Sequence, residues 1–319
     1  MRYHDPNSMK DQENMTTFET VDLFGFDAEG VAERSSSHVV QVKPFKSQLL
    51  KWVGNKQRFA HEIISYFPKF NTYYEPFLGS GAVLGTLQPQ QAVASDVFKP
   101  LIEIWQTLQE NPKELMDWYE ERHAQIVGEN KVEVYEKVLA SYNKNPNGAD
   151  FVFLTRTCYG GVVRFRKDDG YMSTPCGVHK PMPPHKFNER VKEWHVRTKQ
   201  TRFINQDYRL AFDSAKSGDL IYCDPPYSHS QAILYGAQSF SLQELFDRIA
   251  WAKKKGIFVA LSIDGSKNTE NVLLELNIPK GVFEQEAYVN CGRSMLKRFQ
   301  MEGESLEDHV VTDRLLLTY

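Results

Sequence analysis

The sequence predicts an α/β protein, with a doubly wound, mostly parallel sheet and an inserted, mainly helical segment. Short apolar runs typical of buried strands alternate with helical patterns before and after the middle of the chain. Such alternation is typical of a parallel sheet with helices on both faces. Between the two halves, a helical and proline-rich stretch interrupts the pattern, which indicates an insertion. A chain of 319 residues can bury a core of this kind without disulfides or metal ions.

The first 34 residues are acidic and poor in large apolar side chains. Eight acidic residues stand against three basic ones, a net charge of −5. We expect an acidic mobile tail over residues 1–44, with a short contact helix around Phe18–Phe26 as the alternative. No apolar run is typical of a signal peptide, and no segment reaches the roughly 20 apolar residues that span a bilayer. These observations predict a cytoplasmic protein with no membrane partner.

The remaining elements can be predicted in order from near Phe45. A loop and a helix are predicted for SQLLKWVGNKQRFAHEIISYFP. A strand, a glycine turn and a helix are predicted for TYYEPFLGSGAVLGTL, and a short strand is predicted for AVASD. PLIEIWQTLQEN predicts a helix that Asn111-Pro112 ends. Later in the chain, RFINQDY, GDLIYCDPPY and IFVALSIDG predict three more strands. The sequence therefore predicts a sheet domain over residues 45–112 and 200–319 and an inserted domain over residues 113–199.

The four cysteines do not indicate a metal site or a disulfide framework. Cys158, Cys176, Cys223 and Cys291 are far apart in the sequence and lack zinc-site spacing. Disulfides are also rare in a reducing cytoplasm. We expect four ordinary thiols and no bound metal.

The net charge of the whole chain, −3, hides a local asymmetry. Residues 151–202 hold 11 basic and 4 acidic side chains, a net charge of +7, so the remainder carries −10. Tyr159, Phe165 and two glycines lie among these arginines. Basic segments with interleaved aromatic residues are typical of nucleic-acid-binding surfaces, while a solvated basic face is the alternative.

A glycine turn follows the first predicted strand. The sequence Glu75-Pro-Phe-Leu-Gly-Ser-Gly81 lies between a strand and a helix, where glycines let main-chain N–H groups approach a ligand. Asp96 ends the next strand, at the position where an acidic residue binds ribose hydroxyls in nucleoside-binding sheets. Together these features favour a cofactor that contains adenosine, and they do not distinguish NAD from S-adenosylmethionine.

The tetrapeptide Asp224-Pro225-Pro226-Tyr227 directly follows the apolar run Leu220–Cys223. It therefore lies at the carboxyl edge of a strand, where open α/β sheets bind ligands. Prolines lack an N–H donor and hold the backbone rigid. A carboxylate beside a fixed carbonyl suits an exocyclic amine with two N–H donors, and the tyrosine ring can stack on a planar base.

These motifs, in this order, resemble those of the Dam-type, D12 class DNA adenine-N6 methyltransferases over about Leu50 to Tyr319. KWVGNK (51–56), EPFLGSG (75–81), Asp96, DPPY (224–227) and the closing DRLLLTY each match a family motif. LTRTCYGGVVR (154–164) is similar to LNR-x-x-YNG-x-x-R, and GYMSTPCG (170–177) to G-x-F-N-x-P-x-G. Gly160 and Ser173 replace asparagines of these last two motifs. The resemblance therefore does not carry over a DNA recognition sequence.

The resemblance implies a Rossmann-like fold with an inserted DNA-recognition domain, and it assigns roles to individual residues. S-adenosyl-L-methionine would be bound by Trp52, Lys56, Phe77, Gly79, Gly81, Asp96, Asp207, Tyr208 and Asp224. Asp224, Pro225, Pro226 and Tyr227 would be catalytic, and Arg156, Tyr159, Arg164 and Arg166 would bind double-stranded DNA. We also expect a monomer, which could have a cognate restriction endonuclease as its partner.

The resemblance also implies a mechanism. The target adenine is flipped out of the duplex, Tyr227 stacks on it, and Asp224 and the Pro225 carbonyl accept its two N–H bonds. Direct in-line transfer of the methyl group to N6 follows. The alternatives are an amino-methyltransferase acting on cytosine N4 or on RNA, a DNA-binding regulator with a relict cofactor pocket, and an NAD-dependent oxidoreductase.

Overall fold

A seven-stranded sheet, flanked by helices, organises the computed structural model, which describes residues 40–128, 130–226, 240–264, 278–293 and 310–319. The strands are β1 (Tyr73–Glu75), β2 (Ala92–Asp96), β3 (Thr201–Asn205), β4 (Leu220–Cys223), β5 (Phe258–Asp264), β6 (Gln285–Arg293) and β7 (Val310–Leu317). The helices are α1 (Ala60–Ile64), α2 (Ala82–Leu87), α3 (Lys99–Glu110), α4 (Pro112–Gly128), α5 (Lys131–Lys144), α6 (Gly148–Thr157), α7 (Pro184–Arg197), α8 (Tyr208–Ser214) and α9 (Leu242–Lys254). The predicted tail, with its alternative helix at Phe18–Phe26, lies almost wholly outside the described residues.

The strand order is β3-β2-β1-β4-β5-β7-β6. Neighbouring strands from β3 to β5 pair in parallel, and β7 runs antiparallel to both β5 and β6. The predicted α/β class with a mostly parallel sheet is therefore confirmed. Strand β6 was not predicted, and it lies at the edge of the sheet beyond β7.

The core divides between the two faces of the sheet because side chains alternate along each strand. On β4, Leu220 and Tyr222 pack with α1 to α7, whereas Ile221 and Cys223 pack with α8 and α9. Helices therefore cover both faces, as the alternating pattern of the sequence predicts. Among the described residues, no helix is long and apolar enough to cross a bilayer.

Helices α4 to α7 occupy the interruption between α3 and β3. Asn111 caps α3 and Pro112 begins α4, as predicted. Helix α7 packs against the sheet's own helices: the rings of Trp194 and Trp105 lie 5.3 Å apart, and a Cβ atom at Gly85 would approach the Trp194 ring to 2.4 Å. The inserted helices thus share a core with α2 and α3. The domain bounds 113–199 and 45–112 with 200–319 stay a prediction.

Candidate active site

The strand order places the two sequence motifs side by side. Strands β1 and β4 are neighbours, and the chain leaves them toward opposite halves of the sheet, β1 leading to β2 and β4 to β5. Such a point leaves a crevice at the carboxyl ends of the strands. The glycine turn after β1 and the Asp-Pro-Pro segment after β4 both line a cavity of about 350 Å³ there.

Most of the predicted cofactor and catalytic residues line this cavity. They are Trp52, Lys56, Phe77, Gly79, Asp96, Asp207, Tyr208, Asp224, Pro225 and Pro226. Gly81 does not line the cavity, since it lies at the N-cap of α2. Tyr227 lies outside the described residues. The structure therefore brings together residues that are up to 174 positions apart in the sequence, from Trp52 to Pro226.

The two glycines of the turn are both required by its geometry. Gly79 has φ of +48°, and a Cβ atom there would approach Nε1 of Trp52 to 3.0 Å. Gly81 has φ of +62°, and its Cβ atom would lie 3.0 Å from the Trp105 ring. Residues with a Cβ atom rarely adopt this left-handed conformation. Any larger residue at position 79 would displace the indole of Trp52, which forms a wall of the cavity.

Aromatic rings form one end of the cavity. Phe77 and Tyr208 stack with centroids 5.1 Å apart, and Phe240 meets Phe77 edge-on at 5.7 Å. The Tyr208 hydroxyl is buried and has no hydrogen-bond partner among the described residues. Sequence reasoning missed Phe240 and Phe98, which also line the cavity. Phe98 stands two residues after Asp96, a position that could have been recognised, whereas no sequence signal marks Phe240.

Main-chain N–H groups hold the Asp96 carboxylate at the end of β2. Its Oδ1 accepts from the Phe98 N–H at 3.0 Å, and its Oδ2 accepts from the Gly79 N–H at 3.2 Å. Burial raises the pKa of Asp96 to about 6, although these N–H groups oppose the shift. The side chain is therefore mostly a carboxylate at neutral pH and can accept hydrogen bonds from hydroxyl groups.

Asp207 fixes the approach of α8 to the cavity. Its Oδ1 caps the helix by accepting from the Arg209 N–H at 2.9 Å, and its Oδ2 pairs with Arg209 at 3.1 Å. Side-chain capping of this kind holds a helix terminus in place. Asp207 thus orients Tyr208, the next residue, whose ring faces the cavity.

A buried ammonium ion links Asp224 to the C-terminal strand. The Lys56 Nζ lies 3.0 Å from Asp224 Oδ1 and 3.0 Å from Asp313 Oδ2. Burial alone would lower the pKa of Lys56, but the two carboxylates outweigh it and raise the pKa above its ordinary value. Sequence reasoning identified Lys56 and Asp224 but missed Asp313, which belongs to DRLLLTY.

Glu75, at the end of β1, is a second acid beside Asp224. Its Oε2 accepts a hydrogen bond of 2.6 Å from the Tyr73 hydroxyl. Burial raises the pKa of Glu75 to about 8, and the charge of Asp224 adds to the rise. The Glu75 side chain is therefore mostly neutral at pH 7.

Comparison with known proteins identifies the family. The model for D12 class N6 adenine-specific DNA methyltransferases matches residues 52–282. This chain belongs to that family. It is therefore an enzyme that methylates adenine N6 in DNA.

Curated proteins of similar sequence agree with this assignment. A type II methyltransferase of Lactococcus lactis subsp. cremoris is 27% identical over 259 residues, which cover 76% of this chain and 88% of that protein. A DNA adenine methylase of Vibrio cholerae serotype O1 is 26% identical over 245 residues, 72% and 87% of the two chains. A type II methyltransferase of Methanocaldococcus jannaschii is 29% identical over 209 residues, 59% and 70% of the two chains.

Within this D12 methyltransferase, Arg156 has a different environment from the other three residues predicted to bind DNA. It is only 6% exposed, and its Nη1 donates to the carbonyl oxygens of Leu49 at 2.6 Å and Gln48 at 3.3 Å. The guanidinium group also lies over the Phe187 ring, 5.8 Å from its centroid. The structure therefore turns Arg156 inward, where it holds the segment that leads to Trp52, because a buried cation needs acceptors around it.

Tyr159, Arg164 and Arg166 are exposed, as DNA contacts require. Arg164 and Arg166 lie on a hairpin-like segment in which Phe165 bridges to Met172. The Arg166 guanidinium stacks on Tyr171, 4.3 Å from the ring centroid. DNA binding by these three residues stays a prediction.

Two of the cysteines lie opposite each other at the base of this segment. Cys158 and Cys176 are antiparallel bridge partners, and both are free thiols. Burial raises the pKa of Cys158 to about 12, so this thiol is not a nucleophile at neutral pH. Among the described residues, no group of His, Cys, Asp and Glu side chains is arranged to hold a metal ion.

Proposed function

We propose that this adenine methyltransferase uses S-adenosyl-L-methionine as its methyl donor and binds it in the cavity between the glycine turn and the Asp-Pro-Pro segment. The observation that carries the proposal is the placement of Asp224 and Pro225 in the same cavity as Asp96, Tyr208 and the glycine turn. A donor bound by Asp96, Tyr208 and the glycine turn would lie next to the Asp224 carboxylate and the Pro225 carbonyl, which would receive the target amine.

The residues present fit this cofactor. A volume of about 350 Å³ lies within the range of small-molecule sites. The Phe77 and Tyr208 rings suit a planar adenine, and the buried Tyr208 hydroxyl lacks a partner among the described residues, so a ligand can supply one. The Asp96 carboxylate suits ribose hydroxyls. Trp52 and Gly79 would border the methionine part, as the resemblance implies.

The charges of the cavity favour a cationic donor. Among the described residues, one ammonium group, that of Lys56, lies against the two carboxyl groups of Asp224 and Asp313, so acidic groups outnumber basic ones at this point. Glu75 is mostly neutral at pH 7 and adds little to this balance. Bound S-adenosyl-L-methionine supplies an electrophilic methyl group on a positively charged sulfur. In a site closed to water, an excess negative charge stabilises a cation more strongly than in solvent.

Asp224 and Pro225 would hold the target amine. The two N–H bonds of adenine N6 would donate to the Asp224 carboxylate and to the Pro225 carbonyl oxygen, which directs the nitrogen lone pair into the cavity. Positioning and fixed charges then supply most of the acceleration. The protein forms no covalent intermediate, and Cys223 is a buried core thiol. Stacking of Tyr227 on the flipped base stays a prediction.

The substrate is proposed to be double-stranded DNA bound along the basic insert. Residues 151–202 carry a net charge of +7, and Tyr159, Arg164 and Arg166 are exposed there. Flipping the adenine out of its stack costs a few kcal/mol, which contacts to the phosphates must offset. A monomeric state, a cytoplasmic location and a cognate restriction endonuclease complete the proposal as predictions from the sequence.

The deciding experiment measures transfer of labelled methyl groups from S-adenosyl-L-methionine to duplex DNA by wild type and Asp224→Ala. We expect loss of transfer in the variant with cofactor affinity, measured by calorimetry, retained to within about tenfold. Asp213→Asn is the matched control, because Asp213 is exposed on α8 and pairs with Arg248. Normal turnover by Asp224→Ala would overturn the mechanism.

Identification of the product completes the test. Digested DNA should contain N6-methyladenine as the labelled nucleoside. Label on cytosine, or transfer to RNA in place of duplex DNA, would contradict the assigned target, since the same carboxylate and carbonyl fit any planar amine. Calorimetry with NAD should show no binding, because the glycine turn lacks the third glycine at the dinucleotide spacing.

A further inference from the structure

Asp313 reaches the active site from the strand that runs against the direction of its neighbours. Strand β7 is antiparallel to β5 and β6, and residue 313 is the register partner of Asp264 and Val289. Its side chain is 6% exposed and lies 3.0 Å from the Lys56 ammonium. The same ammonium lies 3.0 Å from Asp224. Lys56 thus connects the C-terminal strand to the acid that would receive the target amine.

We propose that Asp313 is a positioning residue for methyl transfer, acting through Lys56 on the orientation and charge of Asp224. The proposal rests on the function proposed above, in which Asp224 accepts a hydrogen bond from adenine N6. Asp313 itself does not line the cavity, whereas Lys56 and Asp224 do. We therefore assign its effect on the reaction to its contact with the Lys56 ammonium group.

The first part of this effect is geometric. A lysine side chain has four rotatable bonds, and an ion pair with Asp224 alone leaves its ammonium group free to follow that carboxylate as it rotates. A second carboxylate on a separate strand fixes the position of Nζ. Because Nζ is fixed, the Asp224 Oδ1 that it contacts is fixed too. Small displacements of reacting groups are costly in rate, so holding this carboxylate favours transfer.

The second part is electrostatic. A buried lysine with a single carboxylate forms a neutral pair, in which the carboxylate is a weaker acceptor for a third group. With Asp313 present, two carboxyl groups share the Lys56 ammonium group, so Asp224 keeps more of its negative charge to face the amine. As the nitrogen forms its bond to the methyl carbon, the carbon–sulfur bond would break with its electron pair left on sulfur, and positive charge would develop on the nitrogen, which then loses a proton to solvent. Fixed negative charge beside the nitrogen stabilises that state more than the ground state. Asp313 should consequently affect kcat more than substrate binding.

The pH dependence of the reaction tests the role of Asp313, because a purely structural role would not change it. Among the described residues, the groups near Lys56 and its two partners are Asp224 directly after β4, Tyr222 on β4, Glu75 on β1 and Asp313 on β7. Burial favours the neutral amine of Lys56, and the carboxylates favour the ammonium ion. Removing the charge of Asp313 lowers the pKa of Lys56, so activity should be lost at a lower alkaline pH than in wild type.

The experiment compares wild type, Asp313→Asn and Asp313→Glu on duplex DNA with labelled S-adenosyl-L-methionine. Asparagine keeps the size of the side chain and removes its charge, while glutamate restores the charge. We expect Asp313→Asn to lower kcat by about 10- to 100-fold and to move the alkaline limb of the pH profile downward. The KM for S-adenosyl-L-methionine should change less than kcat does, and Asp313→Glu should recover part of the lost kcat and of the alkaline limb.

Arg314→Gln is the matched control on the same strand. Arg314 pairs with Glu286 on β6 and does not contact Lys56, so this change perturbs β7 without altering the buried ions. We expect normal kcat and an unchanged pH profile for Arg314→Gln. Thermal unfolding of every variant separates lost activity from lost folding.

The outcomes distinguish this inference from the function on which it rests. The role of Asp313 is supported if wild type and Arg314→Gln transfer methyl groups normally and Asp313→Asn shows the expected loss of kcat. Wild-type kcat and pH profile in Asp313→Asn would overturn the inference and leave the proposed function standing. A loss of kcat that follows the loss of thermal stability, with no shift of the pH profile and no recovery in Asp313→Glu, would overturn it as well. Absence of transfer by wild type would overturn the proposed function itself.

Discussion

The cavity at the sheet edge and the basic insert arrange their charges in opposite ways. In the cavity, Lys56 is buried between Asp224 and Asp313, and it offsets part of their charge. In the insert, Arg164 and Arg166 are exposed, and the excess positive charge faces solvent. The cavity should therefore respond to pH and to single charge changes, whereas the insert should respond to ionic strength, because salt screens exposed charges more than buried ones.

Arg156 shows the limit of a charge count. It belongs to the basic insert and to the motif that contains Arg164, yet its guanidinium donates to main-chain carbonyls of residues 48 and 49. The count of charges identifies the region that faces a polyanion. Burial decides which arginines within that region can contact one.

The largest effect that would test this comparison is expected at Arg156. Arg156→Met should lower the free energy of unfolding by about 1–3 kcal/mol, since it leaves the buried Leu49 carbonyl oxygen without this donor. Urea unfolding measures the loss. Arg166→Gln is the control, because Arg166 is exposed and should change stability by less than about 0.5 kcal/mol. Wild-type stability for Arg156→Met, with weakened DNA binding, would restore the original prediction of a DNA contact.

The next effect concerns the cavity wall. Gly79→Ala should weaken S-adenosyl-L-methionine binding by about tenfold, because Ala is strained at positive φ and its Cβ atom would press on Trp52. Calorimetry gives the affinity. Gly170→Ala is a matched control with φ of +68° and no atom within 4 Å of the added Cβ. Equal loss of cofactor affinity in both variants would show that backbone strain acts at a distance, and the assigned role of Gly79 would be wrong.

A smaller effect is expected from the exposed arginines of the insert. Arg164→Gln should weaken duplex DNA binding by about fivefold and reduce the slope of log K against log salt by about 1. Cofactor affinity should not change. Arg248→Gln, outside the insert on α9, should leave the salt dependence as in wild type. An equal change of slope in both variants would mean that the basic insert is not the DNA-binding surface.

The smallest effect is a pH dependence in the cavity. Asp96 has a raised pKa of about 6, so its carboxylate is lost as the pH falls through that value. If the carboxylate form binds ribose hydroxyls, S-adenosyl-L-methionine affinity should fall about fourfold between pH 7.5 and 5.5. Asp96→Asn should bind more weakly and show a flatter pH profile. A wild-type affinity that does not vary over this interval would contradict the role of Asp96.

The sequence allowed prediction of those parts of the fold and site that local patterns determine. A strand followed by Glu75–Gly81, and another followed by Asp224-Pro225, each have a recognisable order of residues. The rule that ligands bind at the carboxyl ends of parallel strands then places both at one edge. The cavity residues predicted on this basis meet in the structure.

The parts of the fold and the site that could not be predicted depend on contacts between distant segments. Nothing in the alternation of residues shows that β7 pairs with β5, so the approach of Asp313 to Lys56 was not foreseen. The burial of Arg156 could have been inferred, since it follows the apolar run Phe151–Leu154 of α6. The pairing of Cys158 with Cys176 depends on the path of the insert, because 17 residues separate them in the chain.

Synthesis of the chain delivers β7 after the other described strands, yet β7 lies between β5 and β6 in the sheet. Until it emerges, β5 is an edge strand with unpaired N–H and C=O groups, and β6 has no described strand to pair with. A nascent chain that has already formed β1 to β4 still lacks Asp313. On the role inferred for that residue, a chain in which β7 has not yet paired with β5 lacks the group that fixes Lys56, so efficient methyl transfer waits for that pairing.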